Sequence, residues 1–317
     1  MIAVVSLNPS IDRTLMLAEF HPGQTNRVRQ SRSDAGGKGI NVCLHLRALG
    51  AEAVCCTGMM RSGDEALFRG RLEAAGVACD WLTLPGRVRV NTKICADDGQ
   101  LTELNEAGEE VPPESLRALL ERCEGWFARA RVAVLTGSLP PGLPQDTYAK
   151  LIRLAHDAGA ICLLDADGAA LAKGLEACPD GIKPNRAELE RLSGEKLTCE
   201  QALLGAAQRL RRRGIASVCV SLGEQGAIYE GESTTLIADP VPVHVRSTVG
   251  AGDAMVAGLA LAAELGLPVE RAFAMAVAAG TAAVCTVGTQ PLDAEDFRRA
   301  LSRVRIRGME GETICRF

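Results

Sequence analysis

Ser247-Thr248-Val249-Gly250-Ala251-Gly252-Asp253-Ala254-Met255-Val256-Ala257-Gly258 is the stretch on which the reading of the chain turns. A short polar turn passes through Gly250-Ala251-Gly252 and runs into small apolar residues over 254–265 that predict a helix. Glycine carries no Cβ, so the backbone there can come close to a ligand. A helix start leaves N–H groups without intrahelical partners, which suits a phosphate or a developing negative charge. Asp253 falls in the same first turn, placed to take a proton from a hydroxyl lying near those groups. An anion cradle beside a base is what phosphoryl transfer to an alcohol needs, since that reaction rests on positioning and charge neutralisation. The same residues also read as an ordinary helix entry with an aspartate at the favourable end of the dipole. The rest of the chain has to decide.

Working outward, strand and helix alternate. Residues 2–7 form an apolar run of strand length, as in a strand buried on both faces, and Asn8-Pro9-Ser10-Ile11-Asp12 follows at its C-terminal end. Residues 13–32 suggest two short antiparallel strands off the main sheet. Asp34-Ala35-Gly36-Gly37-Lys38-Gly39-Ile40-Asn41 then leads into a helix over 42–49 that Gly50 stops. This glycine run lacks the Ser or Thr after lysine that a Walker loop needs. A strand over 53–58 and a helix over 64–75 come next. Residues 87–95 and 101–105 make a hairpin around Asp97-Asp98-Gly99, with Arg87, Arg89, Asn91 and Lys93 on one face.

From Pro113 the alternation is steady: helices over 114–130, 146–158 and 198–213, strands over 132–136, 161–165 and 217–222. Residues 227–229 and 235–237 form a hairpin, helices cover 254–265, 269–286 and 294–303, and a polar tail ends the chain. The pattern predicts an α/β three-layer sandwich with a mainly parallel central sheet. No linker or repeat interrupts it, so 1–317 is expected to be one domain, with lid segments at roughly 10–33 and 86–106.

The chain has 317 residues, 47% of them hydrophobic and 23% charged, with a net charge of −4. No basic field invites nucleic acid or an anionic membrane. The 12 cysteines and four histidines include no Cys-x-x-Cys, so neither zinc nor a redox dithiol is indicated, and reduced, buried thiols are expected. The N-terminus reads as a first strand with no basic leader, and Glu264, Glu270 and Arg271 break up the most apolar region. A cytoplasmic protein is expected. A nicotinamide-dependent dehydrogenase would need Gly-x-Gly-x-x-Gly after the first strand, where Asn8–Asp12 stands instead.

Polar or glycine-rich turns follow several strands: 8–12, 137–142, 183–188 and 223–226. A doubly wound sheet brings such turns to one edge. Their order, together with Ala35-Gly36-Gly37-Lys38-Gly39-Ile40-Asn41-Val42 and Val249-Gly250-Ala251-Gly252-Asp253, resembles the ribokinase-like (phosphofructokinase B) family of sugar kinases over nearly the whole length. The resemblance implies a ribokinase-like fold with a small inserted β-sheet lid, ATP and Mg²⁺ as cofactors, and a homodimer formed through the lid. It implies Asp253 as the base and the backbone of Gly250, Ala251 and Gly252 as the anion hole. Asp12, Gly36, Gly37, Asn41 and Asn91 would hold the sugar, and Lys38, Arg89 and Ser138 its phosphate. Lys183, Asn185, Ser221, Gly223, Glu224 and Gly226 would contact the nucleotide, with Asn185 and Glu188 organising Mg²⁺ through water. Ser247 and Val249 replace the Asp and Thr of ribokinase-type members, so a monovalent cation is left open. Arg89-Val90-Asn91-Thr92-Lys93 and Thr102-Glu103-Leu104-Asn105 point to members that phosphorylate fructose 1-phosphate at carbon 6, ahead of those acting on tagatose 6-phosphate. A sugar-phosphate sensor without catalysis is the alternative of another class.

Overall fold

In this computed structural model, residues 1–308 and the backbone of 313–316 are described. In chain order the strands are β1 (Ile2–Ser6), β2 (Ser10–Leu17), β3 (Gln30–Gly36), β4 (Val54–Arg61), β5 (Ala78–Leu84), β6 (Arg89–Ala96), β7 (Leu101–Asn105), β8 (Val132–Thr136), β9 (Ile161–Asp165), β10 (Gly181–Ile182), β11 (Ser217–Ser221), β12 (Ala227–Glu230), β13 (Thr235–Ala238), β14 (Arg305–Arg307) and β15 (Thr313–Arg316). The helices are α1 (Lys38–Ala48), α2 (Glu65–Ala74), α3 (Ser115–Phe127), α4 (Thr147–Asp157), α5 (Gly168–Gly174), α6 (Arg186–Ser193), α7 (Glu200–Arg211), α8 (Ala251–Leu265), α9 (Val269–Ala283) and α10 (Ala294–Leu301).

Every residue of β1 is buried. Ala3 and Val5 point into an apolar core with Leu119, Tyr148 and Leu203 of α3, α4 and α7, while Ile2 and Val4 point into another with Ile40, Phe68 and Val256 of α1, α2 and α8. Side chains alternate along a strand, so a strand covered on both faces has to be apolar throughout. That is why residues 2–7 carry no polar alternation. The resulting sheet has eleven strands in the order β15-β14-β13-β12-β11-β10-β9-β8-β1-β4-β5. From β11 to β5 its strands run parallel, and β12 to β15 extend one edge antiparallel.

A second sheet, β3-β2-β6-β7, stands apart as the expected lid. β2 pairs with β3 antiparallel and with β6 parallel, in a register that sets Asp12 beside Asn91. Only three residues join β1 to β2, so the lid begins at the C-terminal end of a buried parallel strand, third from one edge of the large sheet.

Several boundaries differ from the sequence reading. α1 starts at Lys38 and α8 at Ala251, each three or more residues early, so both glycine-rich runs enter the first helical turn. The strand β5, the helix α5 and the strands β14 and β15 were not anticipated. β5 buries only Trp81 and β14 only Ile306, as edge or near-edge strands do, so neither shows an apolar run. The polar tail is in part the end of the sheet.

Candidate active site

A cavity of about 1030 Å³ opens at the C-terminal ends of the parallel strands and is lined from both sheets. It gathers Asp12, Gly37, Lys38, Asn41, Arg89, Asn91, Ser138, Lys183, Asn185, Glu188, Ser221, Gly223, Glu224, Gly226, Gly250, Ala251, Gly252 and Asp253, all anticipated from sequence. Gly36 stands beside them, next to Asp12: a Cβ there would sit 2.7 Å from Asp12 Oδ2, so its bare backbone makes room for that carboxylate.

The floor is the start of α8. Gly250 is its N-cap, in the left-handed region at φ 80°, and no side chain caps the helix. The first N–H groups of a helix have no partner within it, so this end presents donors toward the cavity. Lys183 Nζ lies 3.1 Å from where a Cβ on Gly252 would be, so glycine at 252 lets an ammonium lie against that first turn. Donors, partial positive dipole and a lysine thus converge on one spot, which can neutralise a transferring phosphoryl group.

Asp253 is 7% exposed and its Oδ2 accepts a hydrogen bond of 2.9 Å from Asn41 Nδ2. Burial pushes its carboxyl up to about 6; nearby Asp165 acts the same way, while Lys38, the Asn41 bond and Lys183 pull it down. A carboxylate with that value is ionised at neutral pH and still basic enough to take a proton in a transition state. Lys38 Nζ pairs with Asp165 Oδ2 at 3.2 Å, and Lys183 Nζ approaches Asp165 Oδ1 at 3.5 Å. Burial alone would lower the Lys38 value, but Asp165, Asp253 and Glu188 together hold it above the ordinary lysine range. Asp165 is buried, which raises its carboxyl, yet Lys183 and Lys38 outweigh that and hold it below the usual range. Sequence reading placed Asp165 at a strand end and gave it no role. One carboxylate at the end of an apolar strand carries no local pattern.

The lid supplies the roof. Ser10 Oγ donates to Asp12 Oδ1 at 2.9 Å, Asn91 Nδ2 donates to Ser10 Oγ at 3.1 Å, and Lys93 Nζ stands 3.8 Å from Asp12 Oδ2. Arg89 Nε donates to the Asn8 carbonyl and its Nη1 to that of Glu106. Asn8 Nδ2 donates to Ser138 Oγ at 3.2 Å. Arg87 departs from the expected polar face: it precedes the strand, is 70% exposed in its side chain, and pairs with Asp64. Glu103 and Asn105 of β7 complete the roof.

At the other end, Val241, Val243, Val245, Val277 and Val284 give the cavity an apolar wall beside Gly223–Gly226 that can receive a flat aromatic ring. Sequence reading did not assign it. Asn185 and Glu188 form a capping box on α6: Asn185 Oδ1 accepts from the Glu188 N–H at 2.9 Å, and Glu188 Oε2 accepts from the Asn185 N–H at 2.8 Å. The pair thus has a structural role, and since both residues line the cavity and each bonded oxygen has a second lone pair, it keeps acceptor capacity beyond the cap. Ser247 Oγ accepts from the Val249 N–H at 3.2 Å. Among the described residues no group of three or more His, Cys, Asp or Glu could hold a metal by itself, no helix is long and apolar enough to cross a membrane, and cysteines are unpaired.

The cavity thus joins a parallel α/β sheet, a small second sheet and a buried carboxylate at a glycine-rich helix start with no side-chain cap. The family model of the pfkB family carbohydrate kinases matches residues 2–296, and the chain belongs to that family of phosphotransferases. It is similar to the 1-phosphofructokinase of Rhodobacter capsulatus, 39% identical over 289 residues, which are 90% of this chain and 91% of that protein. The 1-phosphofructokinase of Xanthomonas campestris pv. campestris is 39% identical over 263 residues, 81% of this chain and 82% of its own. Among solved structures, phosphofructokinase-2 from Escherichia coli in complex with potassium superposes with a TM-score of 0.86 at 27% identity, covering 95% of this chain and 97% of that one.

Proposed function

We propose that this chain transfers the γ-phosphoryl group of ATP to the carbon-6 hydroxyl of fructose 1-phosphate, giving fructose 1,6-bisphosphate and ADP. The similarity to proteins named 1-phosphofructokinase supports the substrate. The observation that carries the chemistry is Asp253, buried yet lining the cavity, beside a helix start that nothing caps. In this reading Asp253 takes the proton of the attacking hydroxyl as its oxygen bonds to the γ-phosphorus and the bond to the ADP oxygen breaks. The N–H groups of Gly250, Ala251 and Gly252, with Lys183, hold the equatorial oxygens during that exchange.

Asp12, Asn41 and Asn91 orient the sugar hydroxyls, and Lys38, Arg89 and Ser138 bind the sugar's own phosphate, with Lys93 beside them. A guanidinium fork suits a phosphate dianion and an ammonium adds a point charge. Adenine rests on the valine wall, and Ser221, Gly223, Glu224 and Gly226 follow the ribose and phosphates. The free lone pairs of Asn185 and Glu188, and the buried Asp165 Oδ1 that has no hydrogen-bond partner, suit the water shell of Mg²⁺. An ion held there would supply positive charge to offset that of the phosphate oxygens. We further read the chain as a cytoplasmic homodimer. The exposed Met16, Val28, Leu101 and Leu104 of the lid region support pairing there, which light scattering checks.

The test is ADP release with fructose 1-phosphate, tagatose 6-phosphate and fructose 6-phosphate in parallel. The highest kcat/KM is expected on fructose 1-phosphate. Equal or better turnover of tagatose 6-phosphate would reassign the substrate, and no turnover of any of them would return the chain to the class of sensors.

A further inference from the structure

α1 carries three polar side chains on one face, at Lys38, Asn41 and His45, spaced three and four residues apart. Lys38 and Asn41 line the cavity and Asn41 holds the Asp253 carboxylate. His45 lies one turn further in, 2% exposed, outside the cavity. The bland expectation for such a residue is a satisfied core histidine, but its two ring nitrogens meet two particular partners. Nδ1 accepts a hydrogen bond of 3.2 Å from the Leu292 N–H. Nε2 faces Gly250, 3.6 Å from the place a Cβ on that glycine would take.

We propose that His45 is a positioning residue that sets the anion-hole backbone at Gly250 by bracing it against the 289–292 segment. This rests on the reading of Gly250–Gly252 as an anion hole. Gly250 is tied on its helix side, where its carbonyl accepts from the Ala254 N–H at 2.9 Å, and no side chain caps the helix there, so a packed neighbour adds to what fixes this left-handed residue. The imidazole sets its Nε2 edge on one side of it, at a distance that would be van der Waals contact with a Cβ. The ring is itself fixed by the Leu292 bond, and the same segment is tied to α2 by Arg71, whose Nη2 donates to the Thr289 carbonyl at 3.1 Å. The Arg71 Nη1 also donates to the Ala35 carbonyl, just ahead of α1. Burial, with the Arg71 charge beside it, keeps the His45 ring neutral, its value lowered to about 4. A neutral ring that accepts at Nδ1 carries its proton on Nε2, so the edge toward Gly250 is N–H and the brace keeps one tautomer through the working pH range. One face of α1 thereby holds both the base, through Asn41, and the backbone donors, through His45.

The experiment compares His45→Leu, which fills the space without an acceptor, with His45→Asn, whose Oδ1 can take over from Nδ1. Steady-state kinetics with fructose 1-phosphate and ATP, thermal midpoints, and amide hydrogen exchange of peptides spanning 246–255 are measured on the full chain. For His45→Leu a fall in kcat of ~10–100-fold is expected, since misplacement by about an ångström costs that much, with both KM values within about twofold. Its 246–255 amides should exchange faster, and His45→Asn should recover most of the rate and the protection. Unchanged kcat and exchange in His45→Leu overturn the proposal, as does equal loss in the two variants. Wild-type protein inactive on every sugar phosphate would instead defeat the functional reading, while the exchange data would still decide whether His45 braces Gly250.

Discussion

Asn41 and Asp253 lie 212 residues apart in sequence and are joined by a hydrogen bond of 2.9 Å from Nδ2 to Oδ2. An amide donor facing a buried carboxylate favours its ionised form, and burial opposes it. The bond is therefore one of the influences on the pH at which Asp253 ionises, after burial, Lys38 and Asp165. Because burial raises Asp253 to about 6, kcat/KM should fall on the acid side with a midpoint near that value. Removing the donor with Asn41→Leu leaves burial less opposed, so the midpoint moves upward and the variant loses relatively more activity at pH 6.5 than at pH 8. A pH–rate profile of both proteins checks it, and an unmoved midpoint would dissociate Asn41 from the ionisation.

Asp253→Asn keeps the shape of the site and removes the proton acceptor proposed for it. We expect kcat to drop by at least ~10²–10⁴-fold, with the KM for ATP nearly unchanged. Initial-rate kinetics decide it, and a variant that keeps a tenth of the wild-type rate would mean that the proton leaves by another route.

Arg89 and Arg87 make a matched comparison. Arg89 lines the cavity, and Arg87 turns away to Asp64. Arg89→Ala should raise the KM for the sugar phosphate by about 10–100-fold and that for ATP much less, as loss of a charged hydrogen-bond donor to phosphate does. Arg87→Ala should leave both within about twofold. Equal effects of the two would assign them to lid structure alone.

Asp165 is the shared counter-ion of Lys38 and Lys183, with a side chain 2% exposed. Asp165→Asn leaves two ammonium groups facing each other and should cost about 3–5 kcal/mol of stability near pH 7, toward the lower figure because Lys38 is partly exposed. The folded value of Asp165 lies below the usual carboxylate range, so its contribution is complete above that range and is lost as pH falls through the lowered value. Denaturant titrations should therefore show the gap between wild type and Asp165→Asn narrowing as the pH is taken down. A constant gap would remove the electrostatic explanation.

What could be read from the sequence follows from where the information resides. Buried parallel strands such as β1 and β8 announce themselves because both faces must be apolar. The glycine runs before Asn41 and Asp253 show because close backbone approach leaves a compositional mark. β5 and β14 were missed because a strand near a sheet edge buries few side chains and has no period to detect. Arg87 was placed on the wrong face because alternation was extended past the point where β6 begins. Asp165, the valine wall and the His45 contact to Leu292 are meetings of distant segments, and no local pattern encodes them. That the absent side chain of Gly36 makes room for Asp12 likewise shows only in three dimensions.

Of the groups proposed to grip the sugar, Asp12, Arg89 and Asn91 ride on the four-stranded sheet, while Lys38, Asn41 and Ser138, like the proposed base Asp253, belong to elements of the eleven-stranded one. The sugar is thus gripped from both platforms at once, and its hydroxyl is fully held beside the base only while the two stand in register. Water enters without gripping the smaller platform and so has no means of holding it there. Discrimination against wasteful hydrolysis of the nucleotide is on this view a property of how the two sheets are mounted, and engineering that stiffens the three-residue connection after β1 would be expected to erode it.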